Sequence, residues 1–305
     1  LKNGEIRNLQ ILTKLKEPRG VDSFGNITAF SSENQVHILS GNRHKILTNP
    51  WFSYIHTVEI NTSSHDHILV SSSGFDCIFE YSISDLRKTF EWFAWENGFN
   101  AGVDPETTEK ILLTRNQHIA EQYAKEGKNH VFISDPASQV LPTAKRAAFI
   151  NSVVYDPYTK ENIIATFFHE GAVYEINRIS GKTIRVLDGL KNPHGGMKTG
   201  SDHYVATSTK SGEVVEGYRD NQTRYSFKNL GGKPKELGDF EWIQNAKLDQ
   251  KNYIAIDSNR NAFVIFNPSS QLISKIKFDP NWAIQDLVVS HLSEQQKSFI
   301  QKIEN

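Results

Sequence analysis

HILVSSSGFDCIFEYS (residues 67–82), NIIATFFHEGAVYEIN (162–177), HYVATSTKSGEVVEGY (203–218) and NYIAIDSNRNAFVIFN (252–267) are four copies of one pattern. Each is an alternating apolar strand, a small polar hairpin and a second alternating strand that ends near an aromatic. A period of two, broken by turn chemistry, marks antiparallel strands. Upstream of each copy lies a short run opened by a polar residue or an indole: His56-Thr57-Val58-Glu59, Asn151-Ser152-Val153-Val154, His194-Gly195-Gly196-Met197 and Trp242-Ile243-Gln244-Asn245. Downstream, RKTFEWF, KTIRVL, TRYSF and QLISKIKF supply a fourth β-prone run. A fifth, shorter copy opens at Arg19 as RGVDSFGNITAFSSENQVHILS.

The units therefore start at 19, 56, 151, 194 and 242, in steps of 37, 95, 43 and 48. Three of those steps match the roughly 40–50-residue period of a four-stranded propeller blade. The expected fold is all-β: one β-propeller domain over residues 1–305 with five legible four-stranded blades. An unrelated antiparallel sandwich would also be rich in short strands. It would not repeat SGFD, HEGA, KSGE and NRNA at the same place in each unit.

The long step leaves an insertion at residues 94–147. It is expected either to form a lid, with a helix starting near Asp104-Pro105, or to hide a sixth blade, with strands at Ile111-Leu112-Leu113 and Val131-Phe132-Ile133. Residues 284–290 are expected to pair with residues 8–15 and close the ring, since closure leaves no exposed sheet edge. The tail, residues 291–305, spaces Leu292, Phe299, Ile300 and Ile303 as a helix does.

Composition narrows the partners. The 305 residues carry 34 Lys and Arg against 35 Asp and Glu, which argues against a nucleic-acid partner. The single Cys excludes a disulfide framework and a Cys-rich zinc site, and Cys77, in the strand pattern FDCIF, reads as an inert core thiol. No apolar run approaches the roughly 18 residues of a membrane span. The chain opens at Leu1 with neither Met nor a signal-peptide pattern, which fits a trimmed start. The compartment stays open, the cytoplasm favoured over a mature exported form.

In a propeller the first strand of each blade lines the central channel. The openers Arg19, His56, Asn151, His194 and Trp242 or Gln244, with Gln285 as the closing element, should therefore converge on one axis. Two His, an Arg, an Asn and an indole are an unusual set for a purely structural axis. Two chemistries follow. In one, His56 or His194 passes protons or acts as a nucleophile, Arg19 holds an anionic group, and Asn151 polarises a carbonyl. Trp242, Gln244 and Gln285 would contact the substrate. In the other, His56, His194 and His118 of the insertion bind one divalent metal ion, with Glu241 as a further ligand option. The hairpin residues Asp76, His169, Glu170, Lys210 and Arg260 share one rim and read as a solvated face. Trp51 and Trp95 border blade two and are assigned to packing.

Pro18-Arg19-Gly20-Val21 with Gly25-Asn26-Ile27, and Pro193-His194-Gly195 with Tyr204-Val205-Ala206-Thr207-Ser208, resemble NHL and SMP-30/gluconolactonase-type propeller repeats. His56-Thr57-Val58 and Asn151-Ser152-Val153 with their following strands also resemble arylsulfotransferase-type repeats. The resemblance covers most of residues 16–290 and is a likeness of repeats. The first group implies a divalent metal held by a channel Glu, Asn and Asp; only Asn151 has a counterpart here, and Arg19 and His194 stand where acids would help. The second implies channel histidines and an arginine in sulfuryl transfer.

The expected function is an enzyme, hydrolase- or lactonase-like or transferase-like, acting on a small polar or anionic molecule at the channel mouth. The alternative is a non-catalytic propeller that binds a peptide or protein partner, because the fold alone does not choose.

Overall fold

Five four-stranded antiparallel sheets carry the chain in sequence order, each strand pairing with the next. The computed structural model describes residue 6, residues 8–104 and residues 107–303. Blade one holds β1–β4 (Val21–Phe24, Ile27–Ser32, Gln35–Ser40, Arg43–Thr48) and blade two β5–β8 (Ile55–Ile60, His67–Ser72, Cys77–Ser82, Lys88–Phe93). The insertion contributes β9 (Ala101–Val103), β10 (Lys110–Thr114), α1 (Gln117–Lys125) and β11 (His130–Phe132). Blade three is β12–β15 (Ile150–Tyr155, Asn162–Phe167, Ala172–Asn177, Thr183–Leu187), and blade four β16–β19 (His194–Gly200, His203–Ser208, Glu213–Tyr218, Asn221–Ser226). Blade five is β20–β23 (Ile243–Asp249, Asn252–Asp257, Ala262–Phe266, Ile273–Lys277), and α2 spans Glu294–Ile300.

Threonine hydroxyls and an aspartate on the first two strands of the blades link neighbouring blades. Thr57 Oγ1 of blade two accepts from Val153 N of blade three at 3.1 Å, and Thr166 Oγ1 of blade three accepts from Gly196 N at 2.8 Å. Thr207 Oγ1 donates across to Gln244 O at 2.7 Å. Between blades one and two, Asp22 Oδ2 accepts from Ile60 N at 2.8 Å. These bonds satisfy backbone groups that no ladder reaches, which buried polar groups require.

The insertion is neither a four-stranded blade nor only a helical lid. Blades two and three pack directly together, and the insertion stands outside the ring as a three-stranded sheet in the order β11-β10-β9. The strands foreseen at residues 111–113 and 131–133 are present as β10 and β11, but they run parallel. A parallel pair needs a crossover, and α1 provides it. The helix begins at Gln117 rather than near Asp104. Asn116 caps it, accepting from the backbone N–H groups of His118 and Ile119. Of the foreseen start, Pro105 and Glu106 lie outside the described residues.

The ring closes without the foreseen strand pair. Neither residues 8–15 nor residues 284–290 form a ladder. Instead Asp286 bridges the fifth and first blades, its Oδ1 taking a bond from Asn245 Nδ2 at 2.6 Å and its Oδ2 one from Val21 N at 3.2 Å. The helical tail is present as α2, opened by a capping box between Ser293 and Gln296. Its end packs Ile300 and Ile303 against Phe30 and Leu39 of blade one.

The largest core joins blades one to three and the insertion. Trp51 sits edge-on to Phe75 and Phe93 and beside Trp95, whose Nε1 donates to Phe75 O at 2.8 Å. Cys77 is buried there, and burial pushes its thiol well up. Among the described residues no helix is long and apolar enough to cross a membrane.

Candidate functional site

Four inner strands carry an irregularity at the same place. Pairing of β5 with β6 slips between Ile55 and Thr57, and that of β12 with β13 between Ile150 and Ser152. The slips in β16 and β20 lie between His194 and Met197 and between Ile243 and Ala246. A bulge removes a residue from the ladder and re-aims its side chain. His56, Asn151 and Gln244 fall inside these bulges, and His194 opens the fourth.

His56 and His194 meet at one end of the channel with ring centroids 6.2 Å apart, only 8% and 6% exposed. Aromatic rings wall them in. Tyr54 and Phe149 lie 5.1 and 5.6 Å from His56, and Phe168 and Trp242 lie 5.5 and 6.2 Å from His194. Arg19 stacks its guanidinium 3.5 Å over the Tyr54 ring. Gln244 receives the Trp242 Nε1–H at 2.5 Å and donates to Gln285 at 2.8 Å, so Trp242, Gln244 and Gln285 form one hydrogen-bonded row. Asn151 donates to Pro193 O at 2.7 Å, leaving its buried Oδ1 without a partner among the described residues.

The tautomer of His56 follows from its neighbour. Ser73 Oγ donates to the Ile150 carbonyl, which can only accept, and Ser73 Oγ also lies 3.2 Å from His56 Nδ1. The hydroxyl has one hydrogen, so His56 Nδ1–H must be the donor in that second contact, and Nε2 carries the lone pair. His194 is fixed by Thr209 Oγ1, 2.7 Å from its Nδ1.

Both rings are neutral at neutral pH. Burial lowers His194 to about 4, against a smaller opposing effect of the Asn192 carbonyl. Burial also drives His56 well below its ordinary value, reinforced by His194, Arg19 and Arg146. The field reverses along the channel. Glu59 lies three residues beyond His56 on β5, about 10 Å away. Its carboxyl is pushed up to about 8 by burial and then by Asp22, with Asp286 adding to this against Lys247.

Arg146 was not foreseen. It lies near the end of the insertion and is 5% exposed, its guanidinium 4.9 Å from both the Tyr54 and Phe149 rings. Nε and Nη2 donate to Leu141 O, while the buried Nη1 has no hydrogen-bond partner among the described residues. A signal for it existed. An insertion that re-enters the ring at Asn151 must bring its last residues over the channel rim.

The structure does not assemble the metal set. His118 stands exposed on α1, and among the described residues no three His, Cys, Asp or Glu side chains are arranged to hold a metal. Glu241 is taken by Arg260 and Lys233. Two guanidinium groups beside the histidines would also repel a cation, so these residues do not fit a divalent ion. The hairpin rim is not uniformly solvated either. Asp76 is buried and accepts from Ala148 N and Ile150 N, and Arg260 is buried against Glu241 and Asp257. A hairpin charge goes inside where it has fixed partners to meet.

Comparison of the sequence with protein-family models and with curated proteins gives no match. Solved structures match the fold. A nidogen/laminin complex aligns with a TM-score of 0.55 at 9% identity, over 86% of this chain and 80% of that one. Streptogramin B lyase aligns at 0.51 and 12% identity, over 89% and 86%. Virginiamycin B lyase from Staphylococcus aureus aligns at 0.50 and 9% identity, over 88% and 87%. The chain is a β-propeller, and at these identities the likeness is one of fold.

Proposed function

We propose that this propeller is an enzyme acting on a small anionic molecule at the channel end framed by Arg19, Arg146, His56 and His194. The observation that carries the reading is His56: a neutral imidazole whose Nε2 keeps its lone pair, ringed by Tyr54 and Phe149 with two guanidinium groups close by. Arginine offers paired donors to carboxylate, sulfate or phosphate, and Arg146 Nη1 is an unused donor.

Burial near His194 and two cations holds His56 neutral and weakly basic. An anion bound between the arginines cancels that field and raises the basicity of Nε2 in the same event. His56 then takes a proton from a water or hydroxyl nucleophile as that oxygen attacks the substrate's acyl or sulfuryl centre, and the bond to the leaving group breaks. Asn151 and Gln244 line the recess and orient the bound molecule. This is hydrolase-like chemistry with water as nucleophile and transferase-like chemistry with a second hydroxyl.

The test is a thermal-shift screen of small carboxylates, sulfate esters and phosphate esters against the wild type and the double variant Arg19→Gln/Arg146→Gln. A ligand at a hundred times its Kd stabilises by about 2.7 kcal/mol, several degrees for a chain of this size. The shift should vanish in the double variant. His56→Ala should keep part of the shift and lose turnover of the ligand found. A shift of equal size in the double variant, or none with any anion, sinks the reading and leaves a propeller whose polar axis is structural.

A further inference from the structure

We infer that the cleft between the fifth and first blades binds the hydrocarbon tail of a single-tailed amphiphilic anion whose head group is held at Arg19. This rests on the anion site proposed above and names its substrate class.

The cleft lies where Asp286 bridges the fifth and first blades. Among the described residues five arcs are filled by four-stranded sheets, whereas residues 284–290 cross between β20 and β1 without a ladder. A concavity of about 470 Å3 lies there, within the range of small-molecule sites. Leu12, Val21, Phe30, Ile284, Val288 and Ile300 wall it, drawn from the N-terminal segment, blade one, the bridge and α2. Such a lining suits an alkyl chain, since each methylene moved out of water contributes about 0.8 kcal/mol.

Its charged lining is Arg19 and Asp286, and it shares Arg19 and Gln285 with the histidine site. Their charges decide the sign of the head group. Asp286 is saturated by Val21 N, Leu287 N and Asn245 Nδ2, and Gln285 accepts from Gln244. Among the described residues Arg19 has one ion pair, a 3.3 Å contact to the exposed Glu17, and its guanidinium lies over Tyr54 beside the histidine site. A carboxylate or sulfate at that point exchanges a solvent-facing partner for a buried one, while its tail runs along the cleft away from the histidines. A headless hydrocarbon would leave the arginine unused, and a cationic head would face it.

The experiment measures binding of acetate, hexanoate, octanoate and decanoate to the full chain by calorimetry below their micelle concentrations, with decyl sulfate and decylamine as charge controls. Affinity should rise roughly fourfold per buried methylene until the cleft is full, and decyl sulfate should follow decanoate. Val288→Trp, which fills the cleft, should flatten the chain-length dependence. Leu12→Trp, from the opposite wall, serves the same purpose should the first variant fold poorly. Arg19→Gln should weaken every carboxylate.

Equal affinity for acetate and decanoate leaves the anion site standing and overturns the tail assignment. Failure of all carboxylates overturns both. Decylamine binding as tightly as decanoate, or a decanoate affinity indifferent to Arg19→Gln, overturns the head assignment. A concentration-dependent dimer that Val288→Trp disperses makes the cleft a contact between copies and overturns the proposal.

Discussion

His194 should make the protein acid-labile over a defined window. The unfolded chain protonates an imidazole near 6.5, whereas burial lowers the folded ring to about 4. The folded state therefore binds its proton later, and the stability held in the neutral ring is complete above pH 6.5. It is lost as the pH falls from 6.5 to 4. A displacement of about 2.5 pH units at 1.36 kcal/mol each gives about 3 kcal/mol. His37, buried in blade one and also lowered to about 4, adds a similar loss over the same range. The carboxylates titrate nearby, so the wild type alone does not isolate the effect. Urea unfolding of the wild type and of His194→Gln at pH 7, 6, 5 and 4.5 does, because groups not coupled to His194 cancel in the difference between the two. That difference should shrink steadily with acidity as the wild type loses what the variant never had. A gap that stays constant from pH 7 to 4.5 refutes the burial argument and with it the claim that the site is withdrawn from water.

Two further substitutions test the frame around the site. Gly195 has a φ of +62°, and a Cβ there would fall 1.9 Å from Asn245 Oδ1. Gly195→Ala should cost about 2 kcal/mol or more by chemical denaturation, part of it restored by Asn245→Gly; a loss below half of that contradicts the close approach. Arg260 neutralises Glu241 and Asp257 with all three side chains at most 1% exposed. Arg260→Met leaves the buried Asp257 carboxylate without a cation and Glu241 with Lys233 alone, and should cost about 3–5 kcal/mol, with relief on acidification; a loss under about 1 kcal/mol means Asp257 finds another partner.

The blades were legible because their period and hairpins repeat; of the openers, His56, Asn151, His194 and Gln244 lie at the inner-strand bulges, while Arg19 stacks on Tyr54 and Gln285 bonds to Gln244. What the strand pattern does not encode is pairing across distance. Ile111-Leu112-Leu113 announces a strand, but its parallel partnership with β11 depends on α1 folding across, and α1 starts where Asn116 caps it rather than at the proline upstream. Arg146 escaped notice for a related reason: no repeat marks it, and only the path of the insertion back to Asn151 brings it to the recess. Asp76 and Arg260 looked solvated because hairpin charges usually are. Their burial depends on the backbone N–H groups of residues 148 and 150 and on Glu241, none of them neighbours in sequence.

The inner-strand bulges separate two inheritances. Backbone pairing and the Thr57, Thr166 and Thr207 latches hold the blades together, while residues such as His56 and Gln244 stand outside the ladder. A chain built this way can rewrite its axis one position at a time, like type set in a fixed forme. Relatives sharing this framework should therefore differ in chemistry far more readily than in shape, and the bulge residues, rather than overall similarity, are the place to compare them.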